Sequence, residues 1–228
     1  MSLGYKTLRE EVVLYLRRQI LNGVIRPGEK INEMEVSREL NISRGPVREA
    51  LRQIEQEGLV DYSPNRGCTV KTISLETMTE VYLIRSTLET LAVKVYSGKM
   101  RQEAIETLRA LAATLGDLAE KNDLSGIVQA DEEFHETIVK EAGVHTLLET
   151  WKQFEGQNAA VYYTMQKSDL LPSKVLEDNH LKIVKAFEDQ DLTNIVKILE
   201  KHYMVVPEDL FKKQNRDSQD DKILSLYK

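Results

Sequence analysis

Four side chains in the second half of this chain have the types and positions to hold a divalent metal. Asp131 and His135 stand four residues apart, so on a helix both project from one face. His180 and His202 lie in two later stretches of helical character, and antiparallel neighbours in a bundle would bring all three stretches around one interior point. One carboxylate and three imidazoles form a borderline-hard N/O set suited to Zn²⁺, Ni²⁺, Mn²⁺, Fe²⁺ or Co²⁺. Burying such groups is costly unless a cation pairs with them. Spacing alone leaves a plainer account open, because Asp/His pairs at this interval are frequent on solvated helix faces. Lone histidines also commonly snorkel or cap. The fourth histidine, His145, reads as an ordinary exposed residue.

A second constellation lies near the N-terminus. Arg44, Arg48 and Arg52 recur every fourth residue and line one face of a helix, whose neighbouring face carries Val47, Ala50, Leu51 and Ile54. Ser43 is placed to cap this helix, and Pro46 sits in its first turn, where a missing N–H costs nothing. Upstream, Asn32 can cap a shorter helix bearing Met34, Val36 and Leu40. Asn41 then occupies the tight turn, where positive φ is tolerated. Helix, short turn and arginine-faced helix is the pattern of a helix-turn-helix whose second helix enters the major groove. A solvated basic face on an ordinary amphipathic helix would share the arginine spacing.

The flanks favour the DNA reader. Gly58 reads as a helix C-cap, and two short β-prone runs, Leu59–Tyr62 and Cys68–Val70, flank a Pro/Asn/Gly turn. This is a wing with Arg66 and Gly67 at its tip. Residues 7–71 resemble the winged-helix domain of GntR-type bacterial transcription regulators. The resemblance is carried by Ile20-Leu21-Asn22-Gly23-Val24-Ile25-Arg26-Pro27-Gly28, Ile42-Ser43-Arg44-Gly45-Pro46-Val47-Arg48-Glu49-Ala50-Leu51, Glu57-Gly58-Leu59-Val60 and Asn65-Arg66-Gly67. Met34 departs from it, standing where relatives often place a basic residue. Arg44 and Arg48 are then the candidates for base edges. Arg38, Ser43 and Arg52 are candidates for phosphates, Arg66 and Gly67 act from the wing, and Gly45 completes the DNA-binding set.

The elements that must position these groups follow from the rest of the chain. Its 228 residues suffice for two ordinary domains, and 41% hydrophobic residues can furnish a core. The single cysteine, Cys68, excludes an internal disulfide and suits a reducing cytoplasm. No apolar run approaches the ~20 residues of a membrane span. The net charge of −6 is unevenly spread: residues 1–74 carry 12 Lys+Arg against 10 Asp+Glu, and the remainder 19 against 27. The acidic part is repelled by phosphate, so DNA contact is expected only at the arginine-bearing end, through a few placed arginines and dimerisation.

Leu8, Val12, Leu16 and Ile20 mark a first helix. Ser74 can cap a long helix to about residue 97, with Met78, Val81, Leu88, Leu91 and Val95 as its apolar face. Five more helices are expected at about 101–121, 124–141, 145–167, 173–189 (after Pro172) and 191–206, the last ending before Pro207. The expected fold is mainly α: a winged helix-turn-helix of three helices and a small β-wing over residues 1–73, then an all-α bundle of six or seven helices over 74–228. Residues 207–228 form a tail, either a docked helix or a frayed terminus.

Residues 75–206 in turn resemble the all-helical ligand-sensing FCD domain of the FadR subgroup. Metal-binding members carry an Asp-x-x-x-His pair and two histidines in the last two helices, and Asp131, His135, His180 and His202 match one by one. His145 stands where relatives more often carry Asn. The resemblance implies a divalent metal, Zn²⁺ foremost. It also implies that Arg85 faces the cavity and meets a small carboxylate effector, as a guanidinium can by forking onto the acid. An exposed Arg85–Glu89 pair is the plainer account. The expected function is a homodimeric regulator on double-stranded operator DNA, controlled by a small organic acid and not an enzyme. The rivals are a helical metalloenzyme and a dimeric DNA-binding adaptor without an effector.

Overall fold

The computed structural model describes residues 7–21, 23–56, 58–63, 67–71, 73–167, 173–213 and 222–227. The N-terminal part comprises α1 (Leu8–Leu21), β1 (Lys30–Ile31), α2 (Glu33–Glu39), α3 (Arg44–Gln56), β2 (Val60–Ser63) and β3 (Gly67–Val70). The three strands form an antiparallel sheet in the order β1-β3-β2, with Ile31 opposite Cys68 and Tyr62 also opposite Cys68 across the other edge. Val12, Leu16, Ile20, Val36, Val47, Ala50, Leu51 and Ile54 close a dry core between the three helices. Leu8, expected on that face, is 53% exposed at the helix start.

The turn between α2 and α3 forms as its residues dictate. Asn32 Oδ1 accepts from the Met34 N–H, capping α2. Asn41 takes a φ of 52°, and the Ser37 hydroxyl donates to the Ile42 carbonyl at 2.6 Å, fixing the angle at which α3 leaves.

The C-terminal part contains α4 (Leu75–Val95), α5 (Gln102–Glu120), α6 (Leu124–Lys140), α7 (His145–Lys152), α8 (Glu155–Lys167), α9 (Ser173–Asp189) and α10 (Leu192–Lys213), then a short 3₁₀ turn (Leu224–Tyr227). Ser74 caps α4 by accepting from the Thr77 N–H. Seven α-helices are thus present among the described residues of the bundle, within the range expected.

Two helix boundaries and part of one helix face differ from expectation. The helix expected over 145–167 is two, because the Gln153 and Phe154 N–H groups bond three residues back, to Thr150 and Trp151, tightening and ending the last turn of α7. The last helix does not stop at Val206. It continues through Pro207 to Lys213, and the backbone bond that Pro207 cannot make is offset by burial of Leu210 and Phe211, while Leu224 buries its side chain in the same core. The tail is therefore docked where it is described. On α4, Leu91 and Val95 are 49% and 51% exposed, against the apolar face assigned to them. The buried side of α4 carries Tyr82, Arg85, Ser86, Glu89 and Thr90 instead, because the bundle interior holds a polar site.

The two parts meet through α1, which packs on α6 and α8. Gly58 has a φ of +82°, and a Cβ there would lie 2.9 Å from Gln157 Cγ of α8, so glycine serves both the turn and the close approach.

Candidate metal centre and nucleic-acid interface

Asp131 and His135 project from α6, His180 from α9 and His202 from α10. Their four ligand atoms all lie within 4.8 Å of one another. Asp131, His135 and His180 are buried, and Phe134 packs edge-on against both the His135 and His180 rings. This excludes the solvated-face account of the Asp/His pair.

The ring orientations are fixed from behind. His135 Nδ1–H donates to Glu89, at 2.9 and 3.0 Å from its two oxygens, and the Tyr203 hydroxyl donates to the same carboxylate at 2.6 Å. His180 Nδ1–H donates to the Leu176 carbonyl at 2.8 Å. Both rings therefore present Nε2 to Asp131 Oδ1, at 3.6 Å for His135 and 3.1 Å for His180. A neutral imidazole so held has its Nε2 lone pair directed at the cluster, the arrangement of a metal-ligating histidine with an outer carboxylate or carbonyl. His202 Nδ1 is buried with no hydrogen-bond partner among the described residues.

Electrostatics point the same way. Burial would raise the Asp131 pKa, but the imidazoles of His135 and His180 and the Tyr162 hydroxyl reverse this and hold it well below the usual carboxylate range. Burial pushes the His202 imidazole well below its ordinary value, aided by the neighbouring His180 and His135, so it stays neutral and available as a ligand. Burial opposes protonation of His135 too, but Glu89 and Asp131 outweigh it and leave its pKa raised. A metal at this centre would displace that proton and satisfy both Asp131 and the unpartnered His202 nitrogen.

Asp131 is further held from α8, where Tyr162 O–H donates to Oδ1 at 2.6 Å and Asn158 Nδ2–H to Oδ2 at 3.2 Å. Beside the cluster lies a cavity of about 90 Å³, bordered by Tyr82, Asp131, His135, Asn158, Tyr162 and His202 among others. It has room for a small organic molecule, not a large one.

Arg85, expected to face this cavity, does not border it. Nor does it form an exposed pair with Glu89. The guanidinium is fully buried: Nη2–H donates to Glu132 Oε2 at 3.1 Å, Nη1 lies 3.1 Å from Oε1 as an ion pair without a hydrogen bond, and Cζ stacks 4.1 Å from the Trp151 ring centroid. Glu132 Oε1 accepts from Asn158 Nδ2 at 2.6 Å, so Arg85 reaches the cavity wall only through Glu132 and Asn158. Burial raises the Glu132 carboxyl to about 7, with the Arg85 charge opposing the shift. Glu89, Glu132, Asn158, Tyr162 and Tyr203 escaped the sequence reading. Glu89 and Tyr203 were detectable in retrospect, as an acid on the first bundle helix and a phenol adjoining His202.

At the other end, Arg38, Ser43, Arg44, Arg48 and Arg52 are exposed, and Gly45 is half-buried at the start of α3. The Arg44 side chain is 60% exposed and approaches Glu33 Oε2 at 3.4 Å, an ion pair across the two helices of the reader. Gly67 is exposed with a φ of +84° and open space around its Cα, whereas Arg66 lies outside the described residues. The arginine-bearing face of α3 is thus exposed.

The chain thus joins a winged helix-turn-helix to a helical domain with an internal polar chamber. Residues 8–70 match the model of the bacterial regulatory proteins of the gntR family, and residues 80–204 match the FCD domain model. The chain belongs to the GntR transcription regulators that carry an FCD domain. It is 24% identical over 212 residues to the HTH-type transcriptional repressor RspR of Escherichia coli K12, covering 92% of each chain. It is also 31% identical over 125 residues to the HTH-type regulator YdhC of Bacillus subtilis 168, spanning 54% of this chain and 56% of that one. Among solved structures it is similar to E. coli McbR/YncC, with a TM-score of 0.75 and 20% identity over 92% of this chain and 100% of that one. A GntR regulator from Rhodococcus sp. RHA1 gives a TM-score of 0.68 at 22% identity, covering 96% and 99%. These relatives are regulators, not enzymes. No helix among the described residues is long and apolar enough to cross a membrane.

Proposed function

We propose that the chain is a cytoplasmic, homodimeric transcription regulator whose operator affinity is set by a small organic acid at a metal centre formed by Asp131, His135, His180 and His202. The observation that carries this reading is the convergence of one buried carboxylate, two buried imidazoles oriented by outer hydrogen bonds and the half-buried His202. Zn²⁺ suits this N/O set best, with Ni²⁺, Mn²⁺, Fe²⁺ and Co²⁺ as further candidates. When bound, the ion supplies a positive charge and open positions for an acid oxygen. Tyr82, Asn158 and Tyr162 supply the polar wall beside it. Arg85 acts at one remove, holding Glu132 and through it Asn158.

The division at residues 73/74 separates a reader from a sensor. In the dimer, two α3 helices would enter successive major grooves, with Arg44 and Arg48 at base edges, Arg38, Ser43 and Arg52 on phosphates, and Gly45, Arg66 and Gly67 completing the contact. The acid shifts operator binding only by its differential affinity for two packings of the bundle. The test begins by selecting an operator from a random duplex library with the full chain. Operator affinity is then titrated with and without Zn²⁺ and a small carboxylate such as acetate or lactate. A change in affinity that requires both metal and acid is expected; operator binding indifferent to both would refute effector control.

A further inference from the structure

A second cavity, of about 250 Å³, opens between α9 and α10 on the outer side of the metal cluster, bordered by Asn179, Lys182, Ile198, Lys201, His202 and Val205. Three of those residues, Asn179, His202 and Val205, also border the inner cavity. They are the wall shared by the cavity beside the cluster, the inner chamber, and the second one, the vestibule. On α10, Ile198, Lys201, His202 and Val205 follow helical spacing, so one face of that helix carries both the metal-facing imidazole and the vestibule lysine.

The two chambers differ in charge. The described lining of the inner chamber includes Asp131 and Asp209 and no lysine or arginine. The described lining of the vestibule includes Lys182 and Lys201, both exposed, and no acid. Lys182 Nζ donates to Asn179 Oδ1 at 2.9 Å, which occupies that amide's oxygen and leaves its N–H₂ as the donor at the partition. A monoanion inside the chamber would find its countercharge in the metal alone. Asp209 is paired with Lys212 at 3.2 Å, so Asp131 is the acid a second anionic group would meet there, whereas beyond the partition it would meet two lysines.

We infer that the α9–α10 vestibule is the mouth and outer half of the effector site, in which Lys182 and Lys201 take the outer anionic group of a small dianionic acid whose inner oxygen meets the metal cluster. This rests on the metal reading given above. The lysines act in two ways: they draw anions toward the opening, and they hold the outer group through charge-assisted hydrogen bonds.

The test uses the full chain loaded with Co²⁺, whose visible bands report ligands entering the metal's coordination shell. Acetate, malonate, succinate and glutarate are titrated against the wild type and against the Lys182→Gln/Lys201→Gln double variant. In the wild type at least one dicarboxylate should bind roughly tenfold tighter than acetate, the scale of one added charge-assisted contact. The double variant should lose that advantage, its dicarboxylate affinities falling to its own acetate affinity, and added salt should reduce the dicarboxylate preference in the wild type alone. Equal affinities for acetate and every dicarboxylate in the wild type would overturn the inference, as would an intact preference in the double variant or cobalt bands that no carboxylate moves. Absence of cobalt bands before any acid is added would instead overturn the metal reading itself, and the vestibule assignment with it.

Discussion

Glu89 offers the sharpest perturbation, because it touches no position where a metal would sit and yet governs one ligand. Its carboxylate is fully buried and accepts from His135 Nδ1–H and from the Tyr203 hydroxyl. Glu89→Gln keeps the shape but removes the charge, and its N–H₂ would turn the Tyr203 hydroxyl from donor to acceptor while the amide oxygen takes the His135 N–H. Two consequences follow for His135: its ring is held less firmly, and its Nε2 becomes a weaker base. Loss of such an outer partner typically costs 10–100-fold in metal affinity, or about 1.4–2.7 kcal/mol.

The pH dependence carries a second signature. Glu89 and Asp131 raise the His135 pKa above its ordinary value of 6.5, so protons compete for the ring in the wild type and metal affinity falls as pH drops through that raised value. Removing the Glu89 charge lowers that pKa, so the loss of affinity on acidification should begin at a lower pH in Glu89→Gln. Competition against a chromophoric chelator across a pH series measures both effects, with circular dichroism reporting the fold. Metal affinity within twofold of wild type, with an unshifted pH profile, would refute the role of Glu89 and the tautomer assignment behind it.

Other expectations concern the reader, the ligands and the contact between the two parts. Arg48→Ala should cost ~1–3 kcal/mol of operator binding and relax sequence preference at one position, which a titration against the selected operator and its point variants would check. His180→Ala should lower bound metal per chain, measured by elemental analysis, while the winged part stays folded. Gly58→Ala meets both a φ of +82° and the Gln157 side chain at 2.9 Å, and should destabilise by about 1–3 kcal/mol in thermal unfolding. Gly67→Ala, with a similar φ but open space, should cost less.

The DNA reader was legible because its determinants are local. A cap at Asn32, a positive-φ turn at Asn41 and the four-residue recurrence of arginines each act within a few residues. The Asp/His cluster was partly legible, since Asp131 and His135 share a helix turn, whereas joining them to His180 and His202 needed the family pattern. The supporting groups were not legible. Glu89 meets His135 across 46 residues of sequence, Arg85 meets Glu132 across 47, and Asn158 meets Asp131 across 27. Arg85 was misdirected for the same reason: a guanidinium on α4 is equally suited to an external acid and to an internal one, and nothing in its neighbours reveals that Glu132 reaches it. The apolar stripe on α4 holds at Met78, Val81 and Leu88 but not at Leu91 and Val95, because amphipathic periodicity presumes a hydrophobic interior and this interior is built around charge. Pro207 stopped a helix on paper, but burial of the residues beyond it carries the helix through.

The central claim is that Asp131, His135, His180 and His202 act as one metal site inside the sensing domain. Equilibrium dialysis of the chain against Zn²⁺, followed by elemental analysis, tests it most directly when run beside Asp131→Ala and His202→Ala. One ion per chain in the wild type and less than a tenth of that in each variant is the predicted result. An undiminished ion count in either variant, or none in the wild type at micromolar Zn²⁺, would contradict it.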